Sequence, residues 1–462
     1  MSELSTKHVH LIGVGGAGIS AIARVLLEEG ASVSGSDLIL SPVAQALARD
    51  GAAVFEGHDA RYVNGADIVV ASSAVPDDNV EIQAARAAGV PVLRRPEFLA
   101  KMMHGKKGIA VAGTHGKTTT TAMVASILME AGRDPTFIVG GVLADLKTNA
   151  RRGSSPLFVI EADEYERTFL SLRPEIAVIT NVEHDHPDCY PTFDDFREVF
   201  VDFAALVPDH GLLAVCGDDP VALEIGQRHT DRKAVRFFGL DKDLAWRAEE
   251  VRPNFAGGVD FLAVHGEDTL GLVRLRVPGA HNASNAMGAL VVADFLDVPF
   301  QVIREALRNF RGVARRFEVK GQRQGVVVVD DYAHHPTEIR ATLKASRERF
   351  PERRIWAVWQ PHTYSRTKEL LEEFADAFGE ADRVMILPIY PAREKDTLGI
   401  SAADVAAAMN HPEVVVVTTM DDALERLREN VQPDDMVLTL GAGDSDCVGE
   451  RLLALLDPQS DA

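Results

Sequence analysis

Gly113-Thr114-His115-Gly116-Lys117-Thr118-Thr119 stands between the apolar run 108–112 and a stretch, 118–130, that reads as a helix closed near Gly132. A β-branched run, a short glycine loop and a helix start in that order mark a phosphate-binding turn of an open α/β sheet. Glycine lets backbone N–H groups converge, and the helix N-terminus adds partial positive charge. Lys117 contributes an ammonium, and the Thr118 hydroxyl can reach a divalent cation. The loop departs from the usual G-x-x-x-x-G-K-[ST] spacing, because position 111 is Val and Gly113 stands only three residues before Gly116. Its physics is unchanged.

The segments 157–160 and 176–180 read as the neighbouring strands. They end in Glu161-Ala162-Asp163-Glu164 and Asn181-Val182-Glu183-His184-Asp185-His186. Carboxylates at that rim can hold Mg2+ against phosphate oxygens; each segment alone also reads as a solvated acidic loop. His184 and His186 raise zinc, but no further closely spaced ligand completes a tetrahedral set. From 237 to 277 short alternating runs around Gly257-Gly258 and Gly266 predict antiparallel strands.

Upstream, the strand 9–12 leads into Gly13-Val14-Gly15-Gly16-Ala17-Gly18 and a helical pattern (Ile19, Ala23, Leu26, Leu27) stopped by Gly30. With Asp37 near the end of the next strand, this fits a dinucleotide or nucleotide-sugar site, or a tight turn with no ligand. The strand 68–71 ends in Ser72-Ser73, and His104-Gly105-Lys106-Lys107 reads as a linker. Beyond Gly312, strands at 326–329, 355–358, 384–387, 414–417 and 436–440 alternate with helical stretches such as 368–378, which predicts another open α/β sheet. Asp330-Asp331, Gln360-Pro361-His362 and Gly441-Ala442-Gly443 fall at its strand ends, where ligands bind. His281-Asn282-Ala283-Ser284-Asn285 is a ligand contact or a helix cap, and Arg315-Arg316 a ligand contact or a surface charge pair. The acids and imidazoles of Asp330-Asp331-Tyr332-Ala333-His334-His335-Pro336 suit acid/base work or substrate orientation.

At 462 residues the chain exceeds one core, given domains of roughly 100 to 200 residues, so two to four are expected. No apolar run approaches the roughly 20 residues of a membrane span, and the polar segment 1–7 lacks a signal-peptide core, so the expected location is cytoplasmic. A net charge of -21 argues against nucleic-acid or anionic-membrane partners. Cys189, Cys216 and Cys447 match no metal or disulfide spacing.

In order, and over nearly the whole chain, these pieces resemble the Mur ligases of bacterial peptidoglycan synthesis. The matching segments are 10–18, 113–121, 161–164, 181–186, Pro278-Gly279-Ala280-His281-Asn282, 312–317, 330–337 and 360–362. The resemblance implies an α/β chain of three domains: Rossmann-like over 1–106 for UDP-N-acetylmuramate, a P-loop-type ATPase with a mostly parallel sheet over 107–312, and Rossmann-like over 313–462 for amino-acid binding and closure. It implies that Gly15, Gly16, Ala17 and Gly18 grip the UDP pyrophosphate, with Asp37 near the uridine and Ser72 beside the substrate. Gly113, Thr114, His115, Gly116, Lys117, Thr118 and Thr119, with Asn282, Arg316 and Asp331, would contact ATP. Thr118, Glu164 and His186 would hold Mg2+; a histidine ligand suits Mn2+ as well. His334, His335, His362 and Arg366 would line the muramate and amino-acid side. Lys117, Glu164, His186, His334 and Arg366 are the implied catalytic set.

Thr363 stands where many relatives carry arginine, and Tyr165-Glu166 replaces a common Ser-Asp. Later ligases of the family use a carbamylated lysine after the 181–186 motif. None occurs between Pro187 and Arg232, which favours the branch that adds L-alanine. The peptide-recycling branch is the nearest rival; an NAD-dependent dehydrogenase or a non-catalytic nucleotide sensor would leave the loop 113–119 or the acids unexplained.

Overall fold

The computed structural model describes residues 3–457, so the first residues of the polar N-terminal segment and the last of the third expected region lie outside the description. Three sheets follow one another along the chain. The first has five parallel strands in the order Ala53–Glu56, Ser32–Asp37, His8–Ile12, Ile68–Ala71, Val92–Arg94. Strand order reverses beside His8–Ile12, so the glycine loop after that strand and Ser72 after its neighbour face each other across the switch point.

The second sheet has ten strands and is parallel through its middle, with an antiparallel edge of Trp246–Pro253, Val259–His265 and Asp268–Arg274, as the alternating runs predict. At its centre Lys107–Ala112 lies between Leu157–Glu161 and Ile176–Ile179. Helix Lys117–Glu130 leaves this strand and is buried on nearly every face between the sheet and helix Ala280–Phe295. A helix enclosed in that way carries no amphipathic stripe, which is why the threonine run 118–121 and the apolar residues after it are buried without a helical period.

The third sheet has six strands, parallel except for the edge pair Glu318–Arg323 and Val326–Asp331. Two details differ from expectation. Asp330 and Asp331 finish strand Val326–Asp331 instead of following it. The helix expected over 368–378 is two short helices, Tyr364–Glu369 and Leu371–Ala375, interrupted at Leu370 (φ -97°, ψ 25°). The break turns Leu370 and Leu371 onto the core that encloses Phe374.

The three regions touch. Helix Ala17–Glu29 packs on strands Thr136–Leu143 and Thr148–Arg151 of the second sheet, and Arg95 reaches Asp163 at 2.6 Å. Arg366 of the third region pairs with Asp185 of the second at 2.7 Å. No helix among the described residues is long and apolar enough to cross a membrane.

Candidate active site

The loop 113–116 is held by the strand beside it. The Thr114 N–H donates to the Asn181 carbonyl (3.0 Å), the His115 N–H to Asn181 Oδ1 (2.8 Å), and the Thr180 hydroxyl to the His115 carbonyl (2.5 Å). Gly113 has φ 137°, and a Cβ there would lie 1.9 Å from Thr180 Oγ1, so glycine is required twice over. Gly116 forms the N-cap of helix Lys117–Glu130 and brings no side-chain acceptor, which leaves the first N–H groups of that helix for an anion. Lys117 Nζ donates to the carbonyls of Gly113 (2.5 Å) and Thr114 (3.0 Å) and to Glu164 Oε1 (2.9 Å). Burial is the largest single influence and works to lower its pKa, but the charge and hydrogen bond of Glu164 with the charges of Glu161 and Asp163 together raise it, so the ammonium stays charged.

The sequence-derived cation ligands divide into two groups. Glu164 Oε1 lies 3.5 Å from His186 Nε2. Thr118 instead donates to Glu161 Oε1 at 2.9 Å, and Glu161 Oε2 accepts from the Gly140 N–H at 2.6 Å. Glu161 is thus a member of the site that the sequence placed in the acidic rim motif without singling it out as a ligand. Glu164 is 1% exposed, yet its Oε2 has no hydrogen-bond partner among the described residues. An unpaired buried carboxylate oxygen is costly, and a divalent cation would satisfy it; the donor set fits Mg2+ or Mn2+.

A cavity of about 460 Å³ lies between the second and third regions, with Gly116, Thr118 and Thr119 on one wall and Asn282, Arg316 and Asp331 around the others. Asn282 is inside helix Ala280–Phe295, its amide donating to the Pro278 carbonyl (2.7 Å) and its Oδ1 accepting from Asn285 (3.1 Å). Asp331 accepts from the N–H groups of Phe317 (2.7 Å) and Ala333 (2.8 Å), and burial pushes its pKa up to about 6. Arg316 lies over the Tyr332 ring and 3.6 Å from Glu338 Oε1. Glu338, one residue beyond the motif read from the sequence, also takes the N–H of His334 at 3.0 Å.

Beside the cavity, Arg366 clasps Asp185 Oδ1 through Nε (2.9 Å) and Nη2 (2.7 Å), and its Nη1 meets His362 Nδ1 at 3.0 Å. Burial lowers His334 to about 3 and His362 to about 4, so both imidazoles are neutral near pH 7. His335 packs on the His115 ring, 4.7 Å between centroids. Thr363, the departure from the family pattern, N-caps helix Tyr364–Glu369 by accepting from the Arg366 N–H at 3.4 Å.

In the first region the Gly15 N–H donates to Asp37 Oδ2 (2.8 Å), so the acid sits on the glycine loop itself. A Cβ at Gly13 would press on Ser72 Cβ at 3.0 Å, and one at Gly18 would lie 2.4 Å from Arg95 Nη1. Arg95 therefore overhangs the N-terminus of helix Ala17–Glu29 while pairing with Asp163, joining the first glycine loop to the acidic segment 161–164; from the sequence Arg95 had no assigned role.

Comparison with known families covers the chain almost end to end. Residues 8–107 match the Mur ligase family catalytic domain, 111–293 the Mur ligase middle domain, and 315–443 the Mur ligase glutamate ligase domain. The chain is a Mur ligase. This Mur ligase is 44% identical, over 98% of its length and 100% of the relative's, to the UDP-N-acetylmuramate--L-alanine ligase of Roseiflexus sp. (strain RS-1). Its structure is similar to that of UDP-N-acetylmuramate-alanine ligase MurC from Thermotoga maritima, with a TM-score of 0.83 and 29% identity over 99% of this chain and 100% of that one. A murein peptide ligase from Psychrobacter arcticus gives a TM-score of 0.72 and 26% identity over 98% and 99%.

Proposed function

We propose that this Mur ligase joins the amine of L-alanine to the lactyl carboxylate of UDP-N-acetylmuramate with consumption of ATP, a cytoplasmic step of peptidoglycan precursor synthesis. The observation that carries the reading is the cavity bounded by the phosphate loop, Asn282, Arg316 and Asp331, with Glu161 hydrogen-bonded to its lining residue Thr118 and Glu164 hydrogen-bonded to Lys117 of the same loop. The activity named for the relatives supports it. In this reading residues 1–106 hold the nucleotide sugar through Gly15, Gly16, Ala17, Gly18, Asp37 and Ser72, residues 107–312 hold ATP, and residues 313–462 close over both.

The chemistry is two displacements. A carboxylate oxygen attacks the γ-phosphorus and ADP leaves; the deprotonated amine then attacks the acyl carbon and phosphate leaves. Lys117 and the N-terminus of helix Lys117–Glu130 stabilise charge on the migrating phosphoryl. Thr118, Glu164 and His186, with Glu161 behind Thr118, would hold Mg2+, which supplies charge neutralisation. Arg366, His362 and His334 orient the amino acid, His334 as an imidazole that burial holds neutral and that can accept a hydrogen bond from the amine. The ammonium proton goes to bulk water before closure, so the amine is free when the acyl phosphate forms. Closure excludes water from the acyl phosphate, and aligning the reactants contributes roughly 7 to 11 kcal/mol.

ADP release measured with UDP-N-acetylmuramate and a panel of amines tests this. L-Alanine should give the highest kcat/KM; turnover with a tripeptide and none with L-alanine would transfer the enzyme to the recycling branch.

A further inference from the structure

His115, Glu183 and His335 each offer a ligand atom, and these atoms lie within 4.8 Å of one another. His115 Nε2 is 3.0 Å from Glu183 Oε2, and His335 Nδ1 is 3.9 Å from the same oxygen. Donors bonded to a tetrahedral ion at about 2.0 to 2.1 Å stand roughly 3.3 Å apart, a value these spacings bracket. His115 Nδ1, on the far side of its ring, is 3.2 Å from Glu338 Oε1, the place from which a carboxylate orients a ligating histidine. His335 is 2% exposed, so its ring is held away from bulk solvent. Its Nδ1 accepts a long 3.3 Å bond from the Thr337 N–H, one that a cation would replace.

We propose that His115, Glu183 and His335 form a binding site for a transition cation of the Zn2+ class, separate from the Mg2+ set of Thr118, Glu164 and His186. Two imidazoles and one carboxylate favour such a borderline ion over Mg2+, which prefers oxygen donors and six-fold coordination. The fourth position opens on the cavity that His115 and Glu183 line. His115 and Glu183 come from the second region and His335 from the third, so the ion staples the two in the closed arrangement.

Full-length protein, treated with chelator and kept in excess Mg2+ at about pH 8, where the entering ion must displace the proton that Glu183 and Glu338 favour on His115, is titrated with Co2+. One equivalent should produce the intense visible band of tetrahedral Co2+. The apparent Kd should rise about tenfold or more in His335→Ala and in Glu183→Gln, while Glu164→Gln keeps the band. X-ray absorption of the Zn2+-loaded wild-type protein, which needs no variant, should show two imidazoles around the metal. No band in the wild type, a shell with fewer than two imidazoles, or a band lost in Glu164→Gln and kept in the other variants overturns the proposal.

Discussion

Lys117 is gripped by the oxygens of Gly113, Thr114 and Glu164, so its ammonium is placed by the loop it serves. Lys117→Ala should lower ADP release by about 100- to 1,000-fold or more and leave UDP-N-acetylmuramate binding unchanged in calorimetry, because the two loops lie on different sheets. A loss smaller than tenfold removes the phosphate role. Glu164→Gln should shift the Mg2+ activation curve to higher concentration, since Glu164 Oε2 is the buried oxygen without a partner; an unmoved curve counts against Glu164 as a ligand. His115 behaves differently. Burial pulls its pKa down, but hydrogen bonds with Glu183 and Glu338 overcome that and raise it from 6.5 to about 9. A raised pKa stabilises the folded form fully below pH 6.5 and loses that contribution as pH rises through about 9. Thermal midpoints should therefore fall across that window and flatten in His115→Ala; parallel curves for the two proteins would remove this role.

Among the elements, the strand–loop–helix at 107–130 was legible because each part has a local cause: a β-branched run, glycines where φ is positive, and a helix start without a competing cap. Gly113→Ala tests that account. Strain at φ 137° and the clash with Thr180 should cost on the order of 1 to 3 kcal/mol in denaturant unfolding, and a change below the error of the measurement would refute it. The antiparallel edge at 246–274 was legible for the same reason, since its alternation is local. The helix expected over 368–378 failed for the opposite one: propensity favours one continuous helix, and burial of Leu370, Leu371 and Phe374 against the third sheet breaks it.

In the whole molecule, the third region meets the second through the ion pair of Asp185 and Arg366, whose side chains are each 5% exposed. Removing one member strands a buried charge, at about 3 to 5 kcal/mol. Arg366→Ala should open the molecule, seen as a larger radius of gyration by small-angle scattering, and raise the KM for L-alanine; an unchanged scattering profile would show that closure rests elsewhere. By itself the amino-acid order determined the α/β class, the two glycine loops and the acidic and imidazole motifs at strand ends, because backbone conformation and apolar periodicity are properties of neighbouring residues. Tertiary structure alone decided that Thr118 answers to Glu161, that Arg95 joins the first loop to Asp163, and that Glu338 sits between Arg316, His115 and His334. These pairings depend on which strands lie side by side and on how far one sheet folds over another, distances that no spacing along the chain encodes.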